Sequence, residues 1–378
     1  MLSKLDDYPV HQTAEPIALT ASSDRCTYDR YWYNAHDRDG AFYFGVALCR
    51  YPNLGIMDCS LSLAIDGQQY AFHGSRRAPA EPTDTSVGPF VLAILEPMGR
   101  HRLTIAANDT GIECDLVFTP HTACMEEGRQ TLRNDRHLVM DATRLDQFGR
   151  WEGWIRFEGR ELQVNGHTTF GLKDRSWGIR PVGEPWSGGA PADNFKALHF
   201  CWLPIHWEDQ CSLAGWFEDD SGHQWHTDQG FLPVYSEPAA IPGTVDPGAT
   251  VWQGTVGHQV EMIPGTRRMR KATVTMQDRS GASMRVELEP VLVHRMKGLG
   301  YQNPEWGHGK WHGELVIGSE SWRDSDLDPL ALENLHLQQV VRVTCGDRVG
   351  HGVLEQLHIG ASTSYGFSDW LDGALPGS

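Results

Sequence analysis

Turn residues punctuate this chain roughly every ten positions, and the apolar runs between them are short. Forty Gly and 21 Pro are scattered along it rather than clustered. That pattern belongs to many short strands joined by turns, not to a parallel sheet alternating with helices. Ala41–Arg50, Ser60–Ile65, Gln69–His73, Phe90–Leu95 and Cys114–Thr119 are expected strands. Asp66-Gly67 marks a hairpin, and Asn165-Gly166 marks another between Trp154–Val164 and His167–Leu172. Further on, Met284, Val286, Leu288 and Leu292 are expected on one face of a half-buried strand, with Arg285, Glu287 and Glu289 on the other. Leu337–Thr344 and Gly352–Ile359 end the chain in the same style. The expected fold class is all-β, with two consecutive antiparallel barrels or sandwiches and little helix.

A length of 378 residues suggests two domains. Pro181–Asn194 (PVGEPWSGGAPADN) has no periodic pattern and reads as the linker, giving an N-terminal domain over 1–180 and a C-terminal one over 195–378. Ser236–Ala249 reads as a long loop inside the second, and the first thirty residues as an arm.

A formal net charge of −17 with no basic cluster repels phosphate backbones, so no nucleic acid is expected as a partner. No stretch is apolar for long enough to span a membrane, and no secretory signal is visible, so the expected location is cytoplasmic. The eight Cys contain no C-x-x-C pair and read as reduced core residues. The notable excess is 14 Trp, side chains that suit cores and hydrophobic pockets alike. No nucleophile elbow, P-loop or dinucleotide fingerprint occurs, which leaves cofactor-free chemistry or plain binding.

Gly171–Pro181 (GLKDRSWGIRP) packs an acid, arginines and an indole into one strand end. Asp174 is either an acid in a partly desolvated pocket or the partner of an arginine at the domain junction. His199–Trp216 (HFCWLPIHWEDQCSLAGW) holds two His and three Trp, with His199 and Trp202 on opposite strand faces. His308, His312 and Glu314 share spacing parity that could suit a metal, but the Gly and Pro among them make a loop, and no metal is expected. Tyr28–Arg38 (YDRYWYNAHDR) is either a pocket wall or an aromatic edge strand.

The Gly171–Pro181 string resembles the motif of the AttH-like and carotenoid 1,2-hydratase (hydroxyneurosporene synthase) superfamily. Its Tyr-His-Asp-His-Asn-Trp-Gly pattern meets Leu172-Lys173-Asp174-Arg175-Ser176-Trp177-Gly178 here, with Leu172 and Lys173 in place of the Tyr and the first His. Gly350–Gly360 and the PEWGHGKWHGE segment are similar to relatives of the same group. The resemblance implies two lipocalin-like (calycin) domains and cofactor-independent chemistry on an apolar terpenoid or steroid-like substrate. Hydration or dehydration at an alkene or tertiary alcohol, isomerisation and cyclisation all fall within it. Asp174 would then be the acid–base group, Trp177 a cation-stabilising neighbour and His199 a proton relay. Trp151, Trp154, Trp202, Tyr31, Tyr33 and Arg175 would surround the substrate. A lipocalin-type carrier with the same pocket and no chemistry is the alternative. The sequence leaves the oligomeric state open, with a homodimer among the options.

Overall fold

The computed structural model describes residues 13–134, 136–185, 196–277 and 282–376. Most of the expected linker, from 186 to 194, lies outside the described residues. Two curled antiparallel sheets carry the fold, as the turn punctuation implies. The first has fourteen strands. Its central path runs through Gln68–Arg77, Ile56–Ile65, Phe42–Tyr51, Thr27–Asp37, Thr169–Ile179, His137–Phe157 and Glu113–Pro120. It rolls around a core of Tyr33, Phe44, Phe72, Phe90, Phe118 and Trp151. The second has nine strands, centred on Gln210–Glu218, Ala197–His206, Arg348–Gly360 and Leu337–Cys345. It encloses Leu203, Ile205, Trp216, Val286, Leu288 and Leu354.

The expected strands of the first third are all present, and Asp66-Gly67 closes the expected hairpin. Both turn residues have positive φ, 56° and 72°, as a two-residue loop of this hand requires. The second hairpin lies elsewhere. Trp154–Val164 is broken by Glu158-Gly159, also at positive φ, and Arg160–Val164 folds back on the strand it came from. Asn165-Gly166 forms only a loop, the Asn165 carbonyl accepting from the Thr168 and Thr169 amides, because the next strand, Thr169–Ile179, pairs with Thr27–Asp37 and with the 141–150 stretch of His137–Phe157 and not with Arg160–Val164. Val286 and Leu288 face the second core as expected, but Leu292 does not. The register shifts between Pro290 and Leu292, so one extra residue turns Leu292 to the opposite face, beside Tyr43.

The sheets meet through the outer wall of the first. Trp32, Ala47, Phe148 and Leu172 pack there against Phe200, Trp202, Leu213 and Leu357 of the second. Leu315–Arg323, from late in the chain, crosses over and pairs with Gln68–Arg77 of the first sheet. Gln69 adds a two-way bridge: its side-chain amide donates to the Arg295 carbonyl and accepts from the Arg295 N–H, both at 2.7 Å. The eight Cys are free, and all but Cys345 are buried. No helix among the described residues is long and apolar enough to cross a membrane.

Candidate active site

A cavity of about 290 Å³ opens where the two sheets meet. Strand parity explains which residues reach it. On Thr27–Asp37, Tyr28, Arg30 and Trp32 point outward into it, while Tyr31 and Tyr33 point into the first core. On the adjoining strand Asp174 stands opposite Trp32 and enters the same cavity. From the second sheet come Leu198, Phe200, Trp202, Phe217, Glu355 and Leu357. The walls are mainly aromatic and aliphatic, with a few converging polar groups, as in many small-molecule sites.

Asp174 is 5% exposed. Its Oδ2 accepts from Arg30 Nη2 at 3.0 Å and lies 3.5 Å from Arg144 Nε. Its Oδ1 has no hydrogen-bond partner among the described residues. Burial raises its pKa above the ordinary carboxylate value, and the Arg144 and Arg30 charges offset only part of that rise. Asp146 is its direct cross-strand neighbour and is fully buried. Burial, with Glu127 and Asp174 nearby, holds the Asp146 carboxyl well above the usual range. Glu127 in turn accepts from Arg144 at 3.1 Å and from the Trp202 indole at 3.1 Å. Trp202 and Trp32 meet edge to face with ring centroids 6.0 Å apart.

A second polar chain approaches from the far wall. The Tyr301 hydroxyl is hydrogen-bonded to Arg30 Nη1, and its ring packs edge-on to His336. His336 Nε2 lies 2.6 Å from Glu355 Oε1, and Gln338 donates to Glu355 Oε2 at 2.6 Å. Burial pushes the Glu355 carboxyl up, but these two partners outweigh it and hold its pKa below the usual range. Arg180 stacks over Tyr28 and Tyr301, 5.3 Å from each ring.

Of the residues singled out from the sequence, Asp174 and Trp202 line this cavity. The other seven proposed catalytic or substrate-binding residues do not, nor do His308, His312 and Glu314. Trp151 fills the first core, its indole donating to the Asn34 carbonyl at 3.1 Å. Tyr33 lies in the same core against His101. Tyr31 sits at that core's edge under the Arg175 guanidinium, 3.9 Å from its ring. Arg175 pairs with Asp29, one residue out of phase with Asp174 and so on the opposite face. Trp177 shares that phase and is 40% exposed. Trp154 is half-buried beneath Arg156 on the outside of the first sheet. His199 faces the second core, its Nε2 2.9 Å from the Ala361 carbonyl. His308, His312 and Glu314 diverge: His308 contacts the Leu299 carbonyl, His312 stacks on Trp306, and Glu314 pairs with Arg77.

The groups missed were Arg30, Trp32, Arg144, Tyr301, His336 and Glu355. Three carried a signal. Arg30 and Trp32 belong to the Tyr28–Arg38 string already suspected as a wall, and Glu355 is a lone acid within an apolar strand. Arg144 and Tyr301 carried none that spacing reveals.

A family model described as "Family of unknown function (DUF8625)" matches residues 2–368. Among solved structures, an AttH-like protein from Nitrosomonas europaea aligns over 93% of this chain and 98% of its own, with a TM-score of 0.55 and 13% identity. Kievitone hydratase from Nectria haematococca aligns over 88% and 89%, with a TM-score of 0.47 and 11% identity. CghA bound to Sch210972 aligns over 89% of both chains, with a TM-score of 0.46 and 11% identity. Among curated proteins, none matches. The alignment with the AttH-like protein establishes the fold that the Asp-x-x-Trp-Gly string implies.

Proposed function

The chain belongs to the DUF8625 family, and we propose that this member is a cofactor-independent enzyme performing acid–base chemistry on an apolar small molecule held between its two sheets. The observation that carries this reading is Asp174 Oδ1, a buried carboxylate oxygen without a partner among the described residues, on a side chain that lines a cavity walled by Trp32, Trp202, Phe200 and Leu357. Burial moves its pKa toward neutrality, where a general acid or base works best. Asp146, its cross-strand neighbour, is a second buried carboxyl that could return a proton.

Hydration, dehydration, isomerisation and cyclisation of a terpenoid or steroid-like lipid all use such a group. The wall narrows the choice. Arg30, Arg144 and Arg180 would repel an isolated carbocation but stabilise negative charge developing on oxygen. The favoured substrate is therefore an apolar molecule whose reacting alkene or alcohol is conjugated to a carbonyl or phenol oxygen. The Arg30–Asp174 ion pair favours a second reading, a carrier in which Asp174 is only structural.

Deuterium uptake separates the two readings. The protein is incubated in D2O with the apolar extract of its host, and new carbon-bound deuterium is followed by mass spectrometry. An enzyme should label one compound, and Asp174→Asn should slow labelling by about 10²-fold or more while ligand binding persists. A parent protein that binds a compound but labels none would leave the carrier.

A further inference from the structure

A second cluster lies at the seam between the sheets, outside the Asp174 cavity. His206 and Cys211 are cross-strand partners on the hairpin joining Ala197–His206 to Gln210–Glu218. His121 follows directly after Glu113–Pro120 of the first sheet. Cys211 Sγ is 3.5 Å from His121 Nε2 and 3.6 Å from His206 Nδ1. The three donor atoms lie within 4.8 Å of one another, and all three residues are buried. None of them lines the cavity.

We propose that His121, His206 and Cys211 bind a divalent transition-metal ion of the zinc class, clamping the two sheets together. Zinc bonds of about 2.3 Å to sulfur and 2.0–2.1 Å to nitrogen, at a tetrahedral angle, place S and N about 3.6 Å apart. The two Cys211 contacts already have that length. The donor set of two imidazoles and one thiolate suits zinc or cobalt and not magnesium or calcium. The surroundings suit it too. His36 and His351, hydrogen-bonded to each other at 2.9 Å, place their rings 5.7 and 5.4 Å from that of His206, and the Phe148 and Phe170 rings lie 5.1 and 5.2 Å from it. Burial holds the Cys211 thiol well above its ordinary pKa, with the Arg150 guanidinium opposing only part of that rise, so the thiolate would form together with the metal bond and not before it. Binding displaces the Cys211 thiol proton to solvent, and a water takes the fourth position. The sequence expectation of no metal rested on missing paired Cys ligands and on the weakness of His308 and His312, whereas these donors are a single Cys and two His, with His121 far from the other two in the chain.

Cobalt(II) is the probe. Metal-stripped full-length protein under reducing conditions is dialysed against Co²⁺ and read by absorption. The expected result is one Co²⁺ per chain, tetrahedral visible bands and a near-ultraviolet thiolate-to-cobalt band. Zn²⁺ should abolish the spectrum and raise the melting temperature. Cys211→Ser should remove the thiolate band, and His206→Gln should weaken binding at least tenfold. No stoichiometric uptake, uptake without a thiolate band, or a thiolate band that survives Cys211→Ser would each overturn the proposal. The spectrum of the unmutated protein decides the matter even where a variant fails to fold. A hydrogen-bonded thiol–imidazole network alone would give no uptake.

Discussion

Arg30→Met probes the energetic centre of the site. Arg30 is 3% exposed and gives Nη2 to Asp174 at 3.0 Å and Nη1 to the Tyr301 hydroxyl. Methionine keeps much of the apolar stem and removes the charge. Asp174 is then left with Arg144 at 3.5 Å. Breaking one side of a buried pair costs about 3–5 kcal/mol, and the surviving Arg144 puts the expected loss near 3 kcal/mol. Asp174→Asn is milder. It leaves an acceptor for Arg30 and forfeits the difference between a charged and a neutral hydrogen bond, about 1–2 kcal/mol. The double variant loses the pair once, so its cost should fall below the sum of the singles by at least about 1 kcal/mol. Urea unfolding is the assay, with tryptophan fluorescence and far-UV circular dichroism required to coincide before free energies are compared. Costs that add within about 0.5 kcal/mol would refute the coupling, and with it the carrier reading in which this pair is what Asp174 is for.

Three further outcomes are expected. Asp58 accepts from the Gly309 amide at 2.7 Å, and burial raises its pKa to about 7 from 3.8. The folded state thus holds a proton the unfolded chain has released. Stability from this group should fall as pH rises from about 4 to 7, by at most about 4 kcal/mol. Asp58→Asn should flatten the melting temperature between about pH 4 and 7, and an unchanged slope would count against the assignment. Gly171→Ala should destabilise by about 3 kcal/mol or more, because the new Cβ would meet the Asn34 carbonyl oxygen at 2.1 Å; a melting temperature within 2 °C of the parent, on the order of 1 kcal/mol, would contradict that packing. Leu357→Trp should fill part of the cavity and weaken apolar-ligand binding at least tenfold, about 1.4 kcal/mol, without touching Asp174; unchanged affinity would move the ligand site elsewhere.

The fold was legible because its signals are local. Positive-φ turn pairs and the short apolar runs between them lie within a few residues of one another, so strands such as Phe42–Tyr51 and Gln68–Arg77, buried on both faces, can be read directly. The errors arose where one residue changes the outcome. Glu158-Gly159 lacks the Asn-Gly or Asp-Gly signature yet makes the hairpin, and the bulge at Pro290–Leu292 reverses a face that strict alternation would preserve. Strand order is also non-local. Nothing in Leu315–Arg323 announces that it will pair with Gln68–Arg77, some 250 residues earlier.

The site failed to read for a related reason. Asp174 was identified by a motif, but its companions were chosen by nearness in sequence, and in a strand the nearest residues are the ones that point away. Arg175 and Trp177 flank Asp174 out of phase, so the pleat sends them to the opposite face. Tyr31 and Tyr33 bracket Trp32 in the same way. Shifting the choice by one position along Thr27–Asp37 would have selected Tyr28, Arg30 and Trp32, all three in the cavity wall. The burial of both faces conceals that parity, since a core on one side and a sheet-to-sheet seam on the other make every residue from Trp32 to His36 buried. Charge breaks the tie. Within Thr27–Asp37 the face of Tyr31 and Tyr33 carries no buried charge of its own, although Lys173 and Arg175 stand opposite it, whereas the cavity face carries Arg30 beside Arg144, Asp174 and Glu355. A buried charge is costly unless it is paired or hydrogen-bonded, and Arg30 finds Asp174 and Tyr301 on the cavity face. Within this string Arg30 was therefore the residue that indicated which face of the strand meets the site.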